Sequence, residues 1–191
     1  MDIVENARRC FNLMVDVFGS DPYYMGSHVP EMERWAHHML KRFPEADEEI
    51  VLLSVWLHDI GHYPVPTDVD HAVRGVERSR EFLERKNYDS SRTEKILHCV
   101  RAHRCRDVMP ETIEAKIIAF TDSASHMTDQ NLYLSLVREV YDGPEKVIEK
   151  LERDYRDLEL FPEIKEELKP LYEAWKRLLI NYGKANRILE D

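Results

Sequence analysis

His58 and Asp59 interrupt an apolar stretch at a point where an ionised side chain needs a partner. They follow Ile50-Val51-Leu52-Leu53 and Val55-Trp56-Leu57 and stand immediately before a glycine turn, a costly place for an uncompensated carboxylate. Asp122 poses the same problem after Ile117, Ile118, Ala119 and Phe120. A divalent cation shared by the two carboxylates resolves both. Imidazole and carboxylate donors together suit manganese, iron, cobalt, nickel, zinc or magnesium, so the donor set leaves the metal open.

Helical phase sorts the remaining histidines. His28 is in register with Met32, Trp35 and Met39, whereas His38 falls with Arg34, Lys41 and Arg42 and faces solvent. His37 is intermediate, and phase favours His28 as the interior residue. His71 stands over Gly75 and Phe82, and His103 continues the stripe of Ile96, Cys99 and Val100. His98 keeps company with Glu94 and Arg101 and reads as surface; His126, one turn after Asp122, could line the pocket, although a structural or superficial role is expected.

The elements that must position these residues are helices. Six glycines among many Leu, Glu, Lys and Arg suit helices joined by short turns, so the expected class is all-α. A chain of 191 residues with 43% hydrophobic content sustains one core, and residues 1–191 read as one domain. Helices are predicted over Ile3 to Phe18 with a stop at Gly19, and after a turn at Pro22 along the stripe from Met32 to Phe43. Further helices follow from Glu48 to Ile60 with Asp47 as cap, and from His71 to about Lys86 with Asn87 as stop. Ser91-Arg92-Thr93-Glu94 matches a capping box for a helix reaching Arg104, and another runs from Glu111 to His126. In the last third, Pro144 suits a first helical turn and Pro162 a break, while Lys146, Glu149, Lys150, Glu152 and Arg153 read as solvated surface. Trp175 reads as core or as part of a dimer face, and a homodimer through exposed apolar helix faces is expected.

A net charge of −10 argues against nucleic acid or an anionic membrane as partner, though a metal and a few arginines can reverse the field locally for a small phosphorylated ligand. Cys10, Cys99 and Cys105 lack paired ligand spacing and read as reduced thiols. With no run of membrane-spanning length, the cytoplasm is the expected compartment.

His28, the pair within Trp56-Leu57-His58-Asp59-Ile60-Gly61-His62, and Asp122 within Ala119-Phe120-Thr121-Asp122-Ser123 together resemble the signature of the HD-domain metal-dependent phosphohydrolase superfamily. The resemblance spans residues 27–127 and leaves helices over 131–189 to pack on that core or form a dimer face. It implies an HD-type helical bundle and hydrolysis of a small phosphate ester, nucleotide-like, by metal-activated water. Some relatives bind two metals through extra histidines, and His71 and His103 look like those positions, so one or two ions are expected. Asp59 and Asp122 would hold metal and water, and His62, standing where the family more often has Lys, becomes a candidate acid. Arg74, Arg101 and Arg104 become candidates for phosphate oxygens. Two rivals share the scaffold: a di-iron oxygenase, and a nucleotide-binding domain that keeps its metal without turnover.

Overall fold

The computed structural model describes residues 2–18, 21, 23–64, 68–141 and 143–190; the expected stop at Gly19, the turn residue Pro22 and part of the connection between the helices expected to end at Ile60 and begin at His71 lie outside them. Every regular element among them is helical: α1 (Ile3–Phe18), α2 (Met25–Arg42), α3 (Glu48–Leu57), α4 (His71–Arg85), α5 (Ser90–Ala102), α6 (Ile113–Thr128), α7 (Leu132–Ser135), α8 (Pro144–Asp157) and α9 (Pro162–Glu190). Short 3-10 turns lie at Ile60–His62 and Leu158–Leu160, and a π turn at Leu136–Val140.

Two helices form the centre. In α3 the run Ile50 to Leu57 is buried apart from Leu52, and α6 is buried from Ile117 to Ser125. Helices α1, α2 and α5 pack around α3; α2, α5 and α8 pack on α6; α9 lies against α8. Because the two central helices are apolar on nearly every face, the few ionisable groups on them meet in the interior.

Caps fix where these helices begin. Asp47 accepts the Ile50 amide at 3.2 Å as expected, and its own amide donates to Glu114 on α6 at 3.1 Å. Asp21 accepts the Met25 and Gly26 amides at 2.7 and 2.9 Å, which starts α2 early enough to carry His28. The capping box proposed at Ser91 gives way to Asp89, which accepts the Arg92 amide at 2.9 Å and the Ser91 hydroxyl at 2.6 Å. Asp89 stands one residue before the helix, where its carboxylate can reach the first-turn amides, whereas Ser91 already sits in the first turn.

The third helix was expected to reach Ile60 but ends at Leu57, and the chain turns tightly through Ile60–His62. The reason is the crossing of α4. A Cβ on Gly61 would lie 2.0 Å from the His71 carbonyl oxygen and 2.5 Å from the Gly75 nitrogen. Gly61→Ala therefore must push α4 outward, and a loss of stability of about 3 kcal/mol is expected, at the severe end for overpacking. Weakened retention of any ion held by His71 should accompany it. An unchanged melting temperature in the variant would contradict this close packing.

Among the described residues no helix is long and apolar enough to cross a membrane.

Candidate metal centre

The side chains singled out from α2, α3, α4, α5 and α6 converge. His28 Nε2 lies 3.1 Å from Asp122 Oδ1, and His58 Nε2 lies 3.2 Å from Asp59 Oδ2 and 3.7 Å from Asp122 Oδ1. The other oxygen of Asp59 faces a second set: Oδ1 is 3.3 Å from His71 Nε2 and 3.5 Å from His103 Nε2, and those two nitrogens are 3.3 Å apart. Two groups able to hold a metal ion result, His28/His58/Asp59/Asp122 and Asp59/His71/His103, sharing Asp59.

Hydrogen bonding outside the cluster sets the histidine tautomers. His58 Nδ1 donates to the Val55 carbonyl at 2.8 Å and His103 Nδ1 to the Val100 carbonyl at 2.7 Å. Ser125 spends its proton on the Asp122 carbonyl at 2.8 Å, so its oxygen accepts from His28 Nδ1 at 3.1 Å. In the neutral rings, each Nε2 therefore presents a lone pair to the carboxylates, the arrangement metal-binding histidines adopt. His28 Nε2, His58 Nε2 and Asp59 Oδ1 are buried without a hydrogen-bond partner, so the donor set fits a cation between them.

The electrostatics fit as well. Burial pushes His28 down to about 4 and His71 to about 3, so both rings are neutral at pH 7. Burial opposes charge on His58 too, but Asp59 and Asp122 outweigh it and lift the ring to about 9. Burial raises both aspartates, yet neighbouring histidines hold them well below the usual carboxylate range. The cluster is thus two carboxylates in need of positive charge, supplied by a proton on His58 or by a metal.

Above the cluster opens a cavity of about 330 Å³ whose floor includes Asp59, His62, His71, His103, Asp122 and His126. His62 Nε2 is 3.6 Å from Asp59 Oδ1 and its ring stacks on His71 at 3.9 Å, so it reaches both cluster and cavity. Arg104 lines the cavity and pairs with Asp70, the N-cap of α4. Arg74 and Arg101 do not line it. Arg74 donates to the Tyr63 carbonyl at 2.8 Å, and Arg101 pairs with Asp107. His38 is exposed, as phase indicated, and so is His37, which phase left intermediate, whereas His98 is half-buried and accepts the Glu111 amide at 3.1 Å.

The structure adds residues that the sequence reading placed elsewhere. His126 lies on the cavity, with Nε2 3.5 Å from Asp122 Oδ1 and Nδ1 3.3 Å from Asp154 Oδ2. Lys150 and Arg153, read as solvated surface, also line it, together with Arg106, Asp154, Arg156 and Asp157. Helix α8 lies across α6, so its charged face looks into a cavity. The i, i+3, i+4 spacing of 150, 153 and 154 was the available signal, but it is equally the pattern of an ordinary wet helix face.

Asp154 knits this wall. It accepts Tyr133 Oη at 2.8 Å and Lys150 Nζ at 3.0 Å while fully buried. Burial alone would raise its carboxyl, but Lys150 and His126 prevail and hold it at about 2, below its ordinary 3.8. A depressed carboxylate stabilises the fold above its unfolded pKa, and the contribution, about 2 kcal/mol, disappears as pH falls from about 4 to 2. Acid titration of the melting temperature should show this loss in wild type and a flatter profile in Asp154→Asn. Parallel profiles would rule the linkage out.

Over 131 aligned residues the chain is 29% identical to a tRNA (cytidine(56)-2'-O)-methyltransferase of Picrophilus torridus, an alignment covering 61% of this chain and 35% of that protein. The chain thus spans about a third of that relative's length. No solved structure matches. The family model described as "HD domain" matches residues 25–127, more than half of the chain and the span holding both ligand groups, and the chain belongs to the HD-domain family.

Proposed function

We propose that this chain is a metal-dependent phosphohydrolase acting on a small phosphate ester at a two-ion site bridged by Asp59. The observation that carries the reading is the position of Asp59 between two histidine sets, one oxygen toward each, with Oδ1 buried and unpartnered. Two ions held there would supply Lewis-acid polarisation of a phosphoryl oxygen and an acidified water.

The chain's own groups do the rest. His28, His58 and Asp122 hold one side of the centre, and His71 and His103 the other. The backbone carbonyls of Val55 and Val100 keep two of these rings in the ligating tautomer. His62 stands at the cavity side of Asp59, where it can hold or pass a proton beside the reacting phosphate. Arg104, pinned by Asp70, offers a guanidinium at the rim, whereas Arg74 serves the 63–64 backbone and Arg101 its own loop. The cavity's size suits a small molecule better than a folded nucleic acid. The methyltransferase relative is matched over only a third of its length, and the reading follows the ligand groups that lie within the family match.

The test is phosphate release by the purified chain from nucleotides and simple phosphomonoesters, with manganese, cobalt, nickel or magnesium added. Metal-dependent release from at least one compound is expected. Oxygen consumption with iron, and no phosphate from any compound, would instead support the oxygenase.

A further inference from the structure

The cationic wall on α8 is not explained by hydrolysis of one phosphate. Setting aside Asp59 and Asp122, the charged residues lining the cavity are Arg104, Arg106, Lys150, Arg153 and Arg156 against Asp154 and Asp157. The chain as a whole carries a net −10, so the cavity locally reverses the sign of the protein. Metal ions on the floor would make that reversal stronger. Such a concave field concentrates anions.

Two of these cations already have partners. Lys150 bonds Asp154 at 3.0 Å, and Arg104 pairs with Asp70. Among the described residues Arg106, Arg153 and Arg156 have no carboxylate within salt-bridge distance, although Arg153 is half-buried. Asp157 feels the charges of Arg153 and Arg156 without pairing with either, so an anion in the cavity would give the half-buried Arg153 a direct charge-assisted partner.

The wall also extends past the floor. Lys150 Nζ lies 3.0 Å from His126 Nδ1, whose Nε2 is 3.5 Å from Asp122, so the wall starts one imidazole width from the ligand cluster. From Lys150 to Arg156 it runs about 9 Å along the helix axis, too far for one phosphate to neutralise both the floor and its far end. Tyr23, Met25, Leu132, Leu136 and Tyr141 line the cavity as well and supply an apolar surface for an organic moiety. Helix α8 lies beyond the 25–127 family match, whereas Arg104 and Arg106 lie within it.

We propose that Arg106, Arg153 and Arg156 form a subsite for a second, uncleaved phosphate, so that the preferred substrate is a small organic molecule phosphorylated at two positions. The proposal rests on the hydrolase reading for the seat of the first phosphate. One face of α8 then selects the ligand while the α3 and α6 residues act on it.

Binding is measured by calorimetry on the manganese-loaded full chain with methylphosphonate and propane-1,3-bisphosphonate, neither of which is hydrolysed. The bisphosphonate is expected to bind at least about tenfold more tightly, as charge-assisted contacts to a second phosphonate allow. In R153Q/R156Q, with manganese content verified, that advantage should vanish. Equal wild-type affinities, or an advantage that persists in R153Q/R156Q because both phosphonates sit on the ions, would overturn the proposal. If R153Q/R156Q does not fold, the wild-type advantage is followed against salt: it should shrink as screening grows, and a salt-independent advantage would overturn it. Because the readout is binding, absence of phosphate release would count against the hydrolase reading and leave the subsite to be judged by these affinities.

Discussion

Replacing Asp59 with alanine is expected to strip the protein of both ions and reduce phosphate release to background. Asp59 is the one residue shared by the two ligand groups, with Oδ2 3.2 Å from His58 and Oδ1 3.3 Å from His71. Its removal leaves four histidines and one carboxylate around a hole in which neither side is complete. Asp122→Ala makes a sharper comparison, because Asp122 belongs to the first group alone and its loss should spare the ion held by His71 and His103. Metal content of the two purified variants, with helicity followed by circular dichroism, separates these outcomes. Equal metal content in wild type and Asp59→Ala would remove the bridging role.

His62→Asn is expected to keep both ions yet lower kcat by about 10²- to 10⁴-fold, the range a positioned proton-transfer group contributes. His62 is not needed to complete either ligand group, but it stacks on His71 and looks into the cavity beside Asp59. Burial lowers its pKa, so the ring is neutral at pH 7. It is therefore suited to accept a proton and pass it on, more than to arrive charged as an acid. The effect should fall on kcat with KM little changed, since on the proposed reading the ring would act beside the reacting phosphate while the arginines lie at the wall. Loss of an ion in this variant, or an unchanged kcat, would reassign His62 to a purely structural place.

The central residues were legible in the sequence because the helices carrying them are so apolar. On α3 and α6 an ionisable side chain is an exception that demands a partner, which marks His58, Asp59 and Asp122 without knowledge of the fold. Phase separated His28 from His38 and favoured it over the intermediate His37, because α2 is amphipathic and each residue turns 100° about its axis.

The cavity wall was less legible for the opposite reason. On α8 charge is the rule, and a charged face lining a cavity reads like one facing bulk water. Lys150 and Arg153 acquire their place only from the packing of α8 on α6. Arg74 and Arg101 illustrate the converse. Each stands near ligand residues in sequence, yet the local paths of the chain at 63–64 and at Asp107 claim their guanidinium groups first. His126 with Asp154 was hidden because the pair joins α6 to α8 across a chain separation that no local pattern encodes.

The fold was legible to within its turns. Asp47 and Asn87 act as anticipated, Asn87 adopting the left-handed conformation that ends α4. The early end of α3 was not, since nothing in Ile60-Gly61-His62 announces that α4 will cross so near. Only the approach of the His71 carbonyl to Gly61 makes the glycine obligatory.

The most direct test of the account is the number of divalent ions retained per chain by the wild-type protein, located by anomalous scattering in crystals grown with manganese. Two ions are expected, one on each side of Asp59, the first among His28, His58 and Asp122 and the second against His71 and His103. A single ion confined to the first group, or none at either, would contradict the bridged centre.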